Sequence, residues 1–270
     1  MKNIKANFNG NGAKQIETLV MWDLDGTIFD SEAGPVSSVS KIVSNLAAEN
    51  GVIISSDDVS RDYAGLGQFE KFELMAKNFG VQWDSDKIQQ LGTEHELRKS
   101  EIYKKDVIPF VPFAKESIEA MSQKQGWLQC IVSTNPSTRS KYGLTKMGVA
   151  DHFGDRFYGP DLVNNNRKPK PDSFIYAMEQ NPKASLYVGI EDSEPGILGM
   201  KKAGEMMGIK VLSIAYIDPV FKNSEKKVHS FLMAGADVVV SSLSRVVPVI
   251  EDNLKQNSII KKYNYKPNIF

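Results

Sequence analysis

The amino-acid sequence predicts an α/β protein, a parallel sheet interrupted after its first strand by an all-helical insert. Three observations predict this. Short apolar runs at 18–22, 128–133, 186–190, 210–215 and 236–240 alternate with helical stretches, the rhythm of strands buried between layers of helix. The interval 33–107 breaks that rhythm and carries helical periodicity throughout. With 270 residues, 41% of them hydrophobic and 24% charged, the chain has the composition of a soluble globular protein able to bury a sizeable core.

Taken in order, residues 1–17 are rich in Lys, Asn and Gly, offer little to bury, and are expected to be a polar leader. The run at 18–22 is apolar and stops abruptly at Asp23, Asp25 and Gly26, as a strand buried on both faces would. In the insert, Pro35 opens a helix with Val36, Val39, Val43, Leu46 and Ala47 on one face, ended by Gly51. A second helix starts at Ser56-Asp57-Asp58 and stops at Gly65; a third turns Phe69, Phe72, Met75, Ala76 and Phe79 inward before Gly80. The fourth spans about 84–105 with Ile88, Leu91, His95 and Ile102 inward. Connections this short pack helices as an antiparallel bundle. Pro109 and Pro112 mark the return to the sheet, whose helices are expected at 113–124, 173–179 and from Pro195 to about 203. The stretch 217–233 is expected to be an ordinary connecting helix, and 257–270 a tail.

Charge and composition exclude several classes of function. Thirty-three basic residues balance 33 acidic ones, so no global field holds nucleic acid or an anionic membrane, and any phosphate recognition is local. The N-terminal stretch lacks the apolar core of a signal peptide and nowhere do 18 apolar residues run together. Cys130 alone forms no internal disulfide, and three scattered histidines make no zinc-spaced cluster. A cytoplasmic protein is expected.

The segment Asp23-Leu24-Asp25-Gly26-Thr27 is the most informative. In an open parallel sheet, ligands bind at the carboxyl ends of strands. Alternation by two puts Asp23 and Asp25 on one side of an extended chain, and Gly26 permits a sharp departure. Two carboxylates there repel unless they share a cation or a proton, which suggests a divalent metal and an acid/base pair. Without context, the usual fate of such a string is an acidic strand end that meets solvent and begins a turn.

The context is supplied by three further segments. Asp23 to Thr27 resembles motif I, D-x-D-G-[TV], of the haloacid dehalogenase-like phosphohydrolases. Ile131-Val132-Ser133-Thr134-Asn135 resembles motif II, Arg167-Lys168-Pro169-Lys170-Pro171-Asp172 resembles motif III, and Val188-Gly189-Ile190-Glu191-Asp192-Ser193 resembles motif IV in its Glu-Asp form. Four motifs in order are far more specific than one. A helical insert between motifs I and II is the arrangement of the branch that includes phosphoglycolate phosphatases and β-phosphoglucomutases. The resemblance implies a Rossmann-like core at 18–32 and 108–256 and a helical cap at 33–107.

It also implies roles. Mg²⁺ would be held by the Asp23 carboxylate, the Asp25 main-chain carbonyl, Asp192 and Glu191. Asp23 would be the nucleophile, Asp25 the acid and base, Thr134 a holder of phosphoryl oxygen, and Lys168 the neutralising cation. Thr27 and Asn135 are candidate substrate contacts. The implied activity is hydrolysis of a small phosphorylated metabolite through an aspartyl phosphate. The rivals are a sugar phosphomutase, which returns the phosphoryl group to a sugar, and a phosphate-binding regulatory module without turnover.

In the cap, Arg61 is the proposed contact for a carboxylate or second phosphate, on the turn from Arg61 to Gln68 that is placed to reach over the core; balancing Asp57 and Asp58 on its own helix is an equal alternative. Gly65-Leu66-Gly67 imitates a dinucleotide fingerprint, but Glu70 replaces the third glycine and the segment joins helices. His95, His152 and His229 are expected to be surface or partly packed residues without a catalytic role.

Overall fold

The computed structural model describes residues 18–30, 38–63, 66–105, 109–219 and 224–264, excepting the side chains at 38, 60, 61, 102–105, 224 and 257–264. The expectations for 1–17, for Pro35 and Val36, for Gly65, for the side chain of Ile102 and for 265–270 lie outside the described residues. The strands are β1 (Thr18–Trp22), β2 (Trp127–Val132), β3 (Phe157–Tyr158), β4 (Leu186–Glu191), β5 (Val211–Tyr216) and β6 (Val238–Val240). They form one parallel sheet in the order β3-β2-β1-β4-β5-β6. The helices are α1 (Ser38–Glu49), α2 (Ser56–Tyr63), α3 (Glu70–Phe79), α4 (Ser85–Lys105), α5 (Ala114–Ser122), α6 (Ser137–Lys146), α7 (Asp172–Glu179), α8 (Glu194–Met207), α9 (Ser224–Met233) and α10 (Val246–Asn264).

The sheet is buried on both faces, which explains why its strands are continuously apolar. Val20, Trp22, Ile131, Val188, Ile190 and Ile214 face one layer with Ile118 and Ile250. Leu19, Met21, Cys130, Val132 and Val211 face the other, against Phe174, Met178 and Met200. Each such side chain contributes about 1.5–3 kcal/mol on burial. Gly189 in β4 leaves room for Met200, whose sulfur lies 1.8 Å from where a Cβ would stand. Larger residues there would push α8 off the sheet.

Helices α1 to α4 build a separate core from Val43, Leu46, Val59, Tyr63, Phe72, Met75 and Leu91. Gly51 and Gly80 follow α1 and α3 at φ 85° and 66°, the left-handed conformation that stops a helix. Phe79, expected inward, is 45% exposed, because it belongs to the last turn of α3 where the chain already leaves the bundle. Two further differences separate pattern from structure. β3 has only two residues, too few for any periodicity, and exists because it pairs with Ile131 and Val132. α10 continues to Asn264, past the point at 256 where a tail was expected to begin.

Candidate active site

Asp23 follows the last residue of β1, and its N–H donates to the carbonyl of Ile190 at 3.0 Å, so it is held by sheet pairing rather than by a loop. In register, Trp22 stands opposite Ile131 on β2 and Ile190 on β4. The residues just beyond these three strand ends therefore converge. Asp23, Asp25, Thr134, Asn135, Lys168 and Asp192 line one cavity. The chain turns sharply after Asp25: Ile28 and Phe29 both donate to the Leu24 carbonyl, at 2.9 and 2.8 Å. Gly26 permits this with φ 82°, and a Cβ there would lie 2.2 Å from Asp192 Oδ2. Glycine is needed for both conformation and space.

Lys168 is 6% exposed and spends its ammonium on Asp23 Oδ1 and Glu191 Oε1, at 2.5 Å each, and on the Val132 carbonyl at 2.7 Å. The ammonium also lies 5.3 Å from the centre of the Phe174 ring. Burial opposes its charge, yet the two carboxylates hold its pKa above the usual lysine range. Burial pushes the carboxyls of Asp23 and Glu191 upward while Lys168 pulls them back. Ser193 donates to Glu191 Oε2 at 3.2 Å and also caps α8, its hydroxyl accepting from the Gly196 N–H at 3.3 Å.

Asp25 is engaged from both sides of the cavity. Its Oδ2 accepts from Asn135 Nδ2 at 2.8 Å and from Lys99 Nζ, on α4, at 2.7 Å. Arg139 on α6 donates to Glu96 at 2.7 Å and Ser100 at 2.6 Å, both on α4. The helical insert is thus tied onto the strand ends at two points. Sequence reasoning missed Lys99, Lys71 and Gln68, which all line the cavity. The signal available for Lys99 was its i,i+4 spacing from the inward His95.

The other expected residues divide. Thr134 lines the cavity, and its carbonyl accepts from Arg167 at 2.8 Å. Thr27, expected to touch substrate, is fully buried, and its hydroxyl donates to Asp192 Oδ1 at 3.2 Å. It orients a carboxylate instead. Arg61 lies on α2 with its side chain outside the described residues. The turn before α3 does reach the site, through Leu66, Gly67 and Gln68. His95 corrects the expectation of a surface or partly packed histidine: it is 2% exposed and lines the cavity, because it faces inward from a helix that covers the strand ends.

For a metal, Asp23, Glu191 and Asp192 offer oxygens that all lie within 4.8 Å of one another. This all-oxygen donor set fits a divalent hard cation.

Comparisons with known proteins agree with this geometry. The chain is 24% identical over 208 residues to a phosphoglycolate phosphatase of Pseudomonas fluorescens, covering 75% of this chain and 71% of that one. It is 26% identical over 193 residues to a phosphoglycolate phosphatase of Aquifex aeolicus, covering 69% and 81%. A haloacid dehalogenase-like protein from Agrobacterium tumefaciens shares the fold with a TM-score of 0.70 at 24% identity, over 87% of this chain and 98% of that one. A haloacid dehalogenase-like family protein from Streptococcus pneumoniae does so with a TM-score of 0.67 at 16% identity, over 87% and 98%. The family model of the haloacid dehalogenase-like hydrolases matches residues 18–204, from the first strand through Lys168 and Asp192, and the chain belongs to that family.

Proposed function

We propose that this hydrolase is a Mg²⁺-dependent phosphatase that cleaves a small phosphomonoester through an aspartyl phosphate on Asp23. One observation carries the reading: Asp23 and Asp25 face a single cavity together with Lys168, Thr134 and Asp192. Asp23, Asp192, Glu191 and the main-chain carbonyl of Asp25 would hold Mg²⁺, which when bound offsets charge on the phosphoryl oxygens. A carboxylate of Asp23 attacks phosphorus, forming the Asp23 O–P bond as the P–O bond to the alcohol breaks. Asp25 gives the departing oxygen a proton, then takes one from the water that attacks the aspartyl phosphate and frees inorganic phosphate. Lys168 keeps Asp23 oriented and balances charge on both sides of the transfer, while the Thr134 hydroxyl and Asn135 hold phosphoryl oxygen.

Helices α1 to α4 serve as the cap, the unit at 33–107 closing over a core at 18–32 and 108–256. The ion pair between Lys99 and Asp25 supports that role, since it joins cap to core at the reacting centre. Among the described residues no helix is long and apolar enough to cross a membrane. Cys130 is buried, its thiol pushed up by burial, in keeping with a protein of the reducing cytoplasm.

The test is Asp23→Asn, assayed with Mg²⁺ for free phosphate from a panel of small phosphomonoesters and, in parallel, for hexose-phosphate isomerisation. Loss of phosphate release in a variant that still folds, by circular dichroism, is expected. Turnover at the wild-type rate in the variant would overturn the mechanism, and isomerisation without phosphate release would overturn the choice of hydrolysis.

A further inference from the structure

Arg139 lies in the first turn of α6, where a cation opposes the helix dipole and no acidic residue of that turn accompanies it. Its partners come from elsewhere. Nη1 donates to Glu96 Oε2 at 2.7 Å and Nη2 to Ser100 Oγ at 2.6 Å, and both acceptors stand on α4. Nη1 also donates to the side-chain oxygen of Asn135, at 3.4 Å. The side chains of Arg139 and Glu96 are both mostly shielded from water. A planar guanidinium reaches several acceptors in one plane, which the single ammonium of a lysine does not.

Both sets of contacts lead to Asp25. On α4, Lys99 and Ser100 lie three and four positions beyond Glu96 and so share its face. Arg139 grips that face at Glu96 and Ser100, and Lys99 between them donates to Asp25 Oδ2 at 2.7 Å, with both side chains buried. On the core side Asn135 is buried, and its amide has two distinct ends: the oxygen accepts from Arg139, and the nitrogen donates to Asp25 Oδ2 at 2.8 Å. An arginine only donates, so it fixes which end of the amide faces it and turns the amino group toward the carboxylate. The groups close a ring, from Arg139 through α4 and Lys99 to Asp25, and from Asp25 through Asn135 back to Arg139. Arg139 itself stands behind the residues that line the cavity, so it acts on Asp25 only through others.

We propose that Arg139 is a positioning residue for proton transfer by Asp25. The assignment rests on the phosphatase reading above, in which Asp25 gives the departing alcohol oxygen its proton as the P–O bond breaks. That transfer needs the carboxyl within hydrogen-bond reach of the oxygen, and a small displacement is enough to slow it. By gripping α4, Arg139 sets where Lys99 meets Asp25; by facing the Asn135 oxygen, it sets where the amino group meets the same carboxylate. Without the guanidinium, α4 and the amide are free to shift, and Asp25 loses its direction. The step served is departure of a poor leaving group, because an alkoxide needs the proton whereas an activated phenolate leaves without one. Attack by Asp23 is spared, since Asp23 is held by the Ile190 carbonyl and by Lys168 rather than by the ring.

The test measures phosphate release from ethyl phosphate and from para-nitrophenyl phosphate, with Mg²⁺, in the wild type and in Arg139→Met, Arg139→Lys and Asp25→Asn. The quantity read is the ratio of kcat for the alkyl ester to kcat for the aryl ester. Arg139→Met should lower this ratio by about tenfold or more, with KM for either ester changing less, since Arg139 touches no substrate. Arg139→Lys, which keeps a cation for Glu96, should recover much of the loss. Ser100→Ala should lower the ratio by itself and add nothing to Arg139→Met, because it acts through the same guanidinium. Should Arg139→Met fail to fold by circular dichroism, Glu96→Ala, which removes an acceptor from α4, carries the same comparison. An unchanged ratio in the folded variant, or equal losses for both esters, while Asp25→Asn lowers the ratio, would overturn the positioning role and leave the phosphatase standing. A ratio that Asp25→Asn leaves unchanged, or release from neither ester by the wild type, would instead overturn the reading on which the role rests.

Discussion

Lys168→Met removes one ammonium and keeps most of the aliphatic stem. Its consequence can be worked from the contacts. The ammonium makes three interactions, with Asp23, Glu191 and the Val132 carbonyl, and the side chains of Lys168, Asp23 and Glu191 are 4%, 10% and 1% exposed. Breaking a buried pair by deleting one partner costs about 3–5 kcal/mol, because the remaining charge is left without compensation. Protonation of Glu191, already pushed upward by burial, relieves part of this. The expected loss is therefore about 3 kcal/mol near neutral pH. Urea denaturation in chelator measures it, and the double variant Lys168→Met/Glu191→Gln should recover about 1.5 kcal/mol or more relative to additivity. Adding Mg²⁺ should stabilise Lys168→Met less than wild type, since Asp23 loses its orientation. A loss under about 1 kcal/mol, or strict additivity with Glu191→Gln, would refute the idea that Lys168 bridges two buried carboxylates.

Asp25→Asn should slow hydrolysis of alkyl phosphates far more than that of an activated aryl phosphate, which leaves without a proton; equal losses for both would remove Asp25 as the acid. Chelation should abolish activity, Mg²⁺ should restore it and Ca²⁺ should restore little, because Ca²⁺ prefers more ligands and looser geometry; full activity in chelator would refute the metal site. His95 has a folded-state pKa below its ordinary value of 6.5, so the unfolded chain binds the proton more readily. Stability from this group is full above that value and falls as pH falls through it. Burial first, and then the charges of Lys71, Lys99 and Arg139, keep the ring neutral, against the opposing pull of Asp25 and of Glu96 beside Nδ1. Between about pH 7.5 and about pH 5 the wild type should lose stability that His95→Gln does not lose, and equal acid losses in urea melts would refute the neutral, buried imidazole.

The sequence by itself determined five strands of the sheet and the carboxylates at the end of the first, because both are local. A strand buried on two faces must be continuously apolar, and the run at 18–22 ending in Asp23-Leu24-Asp25-Gly26 states strand, turn and carboxylate spacing within nine residues. The four insert helices were legible for the same reason, from an apolar face in the first, third and fourth and from terminating glycines after the first three. Tertiary structure alone decided what stands opposite those carboxylates. Lys99 meets Asp25 across 74 positions and Lys168 meets Glu191 across 23, and no periodicity encodes which lysine of many faces inward at a shared cavity. Thr27 shows the same limit in reverse: its place in the motif suggested substrate, whereas packing between β1 and the start of α8 turned its hydroxyl to Asp192. His95 is the sharpest case. Helical spacing placed it inward, but only the docking of α4 over the strand ends surrounded it with Lys71, Lys99 and Arg139 at the cavity wall. Burial, partners and charge at a site depend on how elements pack together, and a linear pattern specifies each element's own face without specifying what it meets.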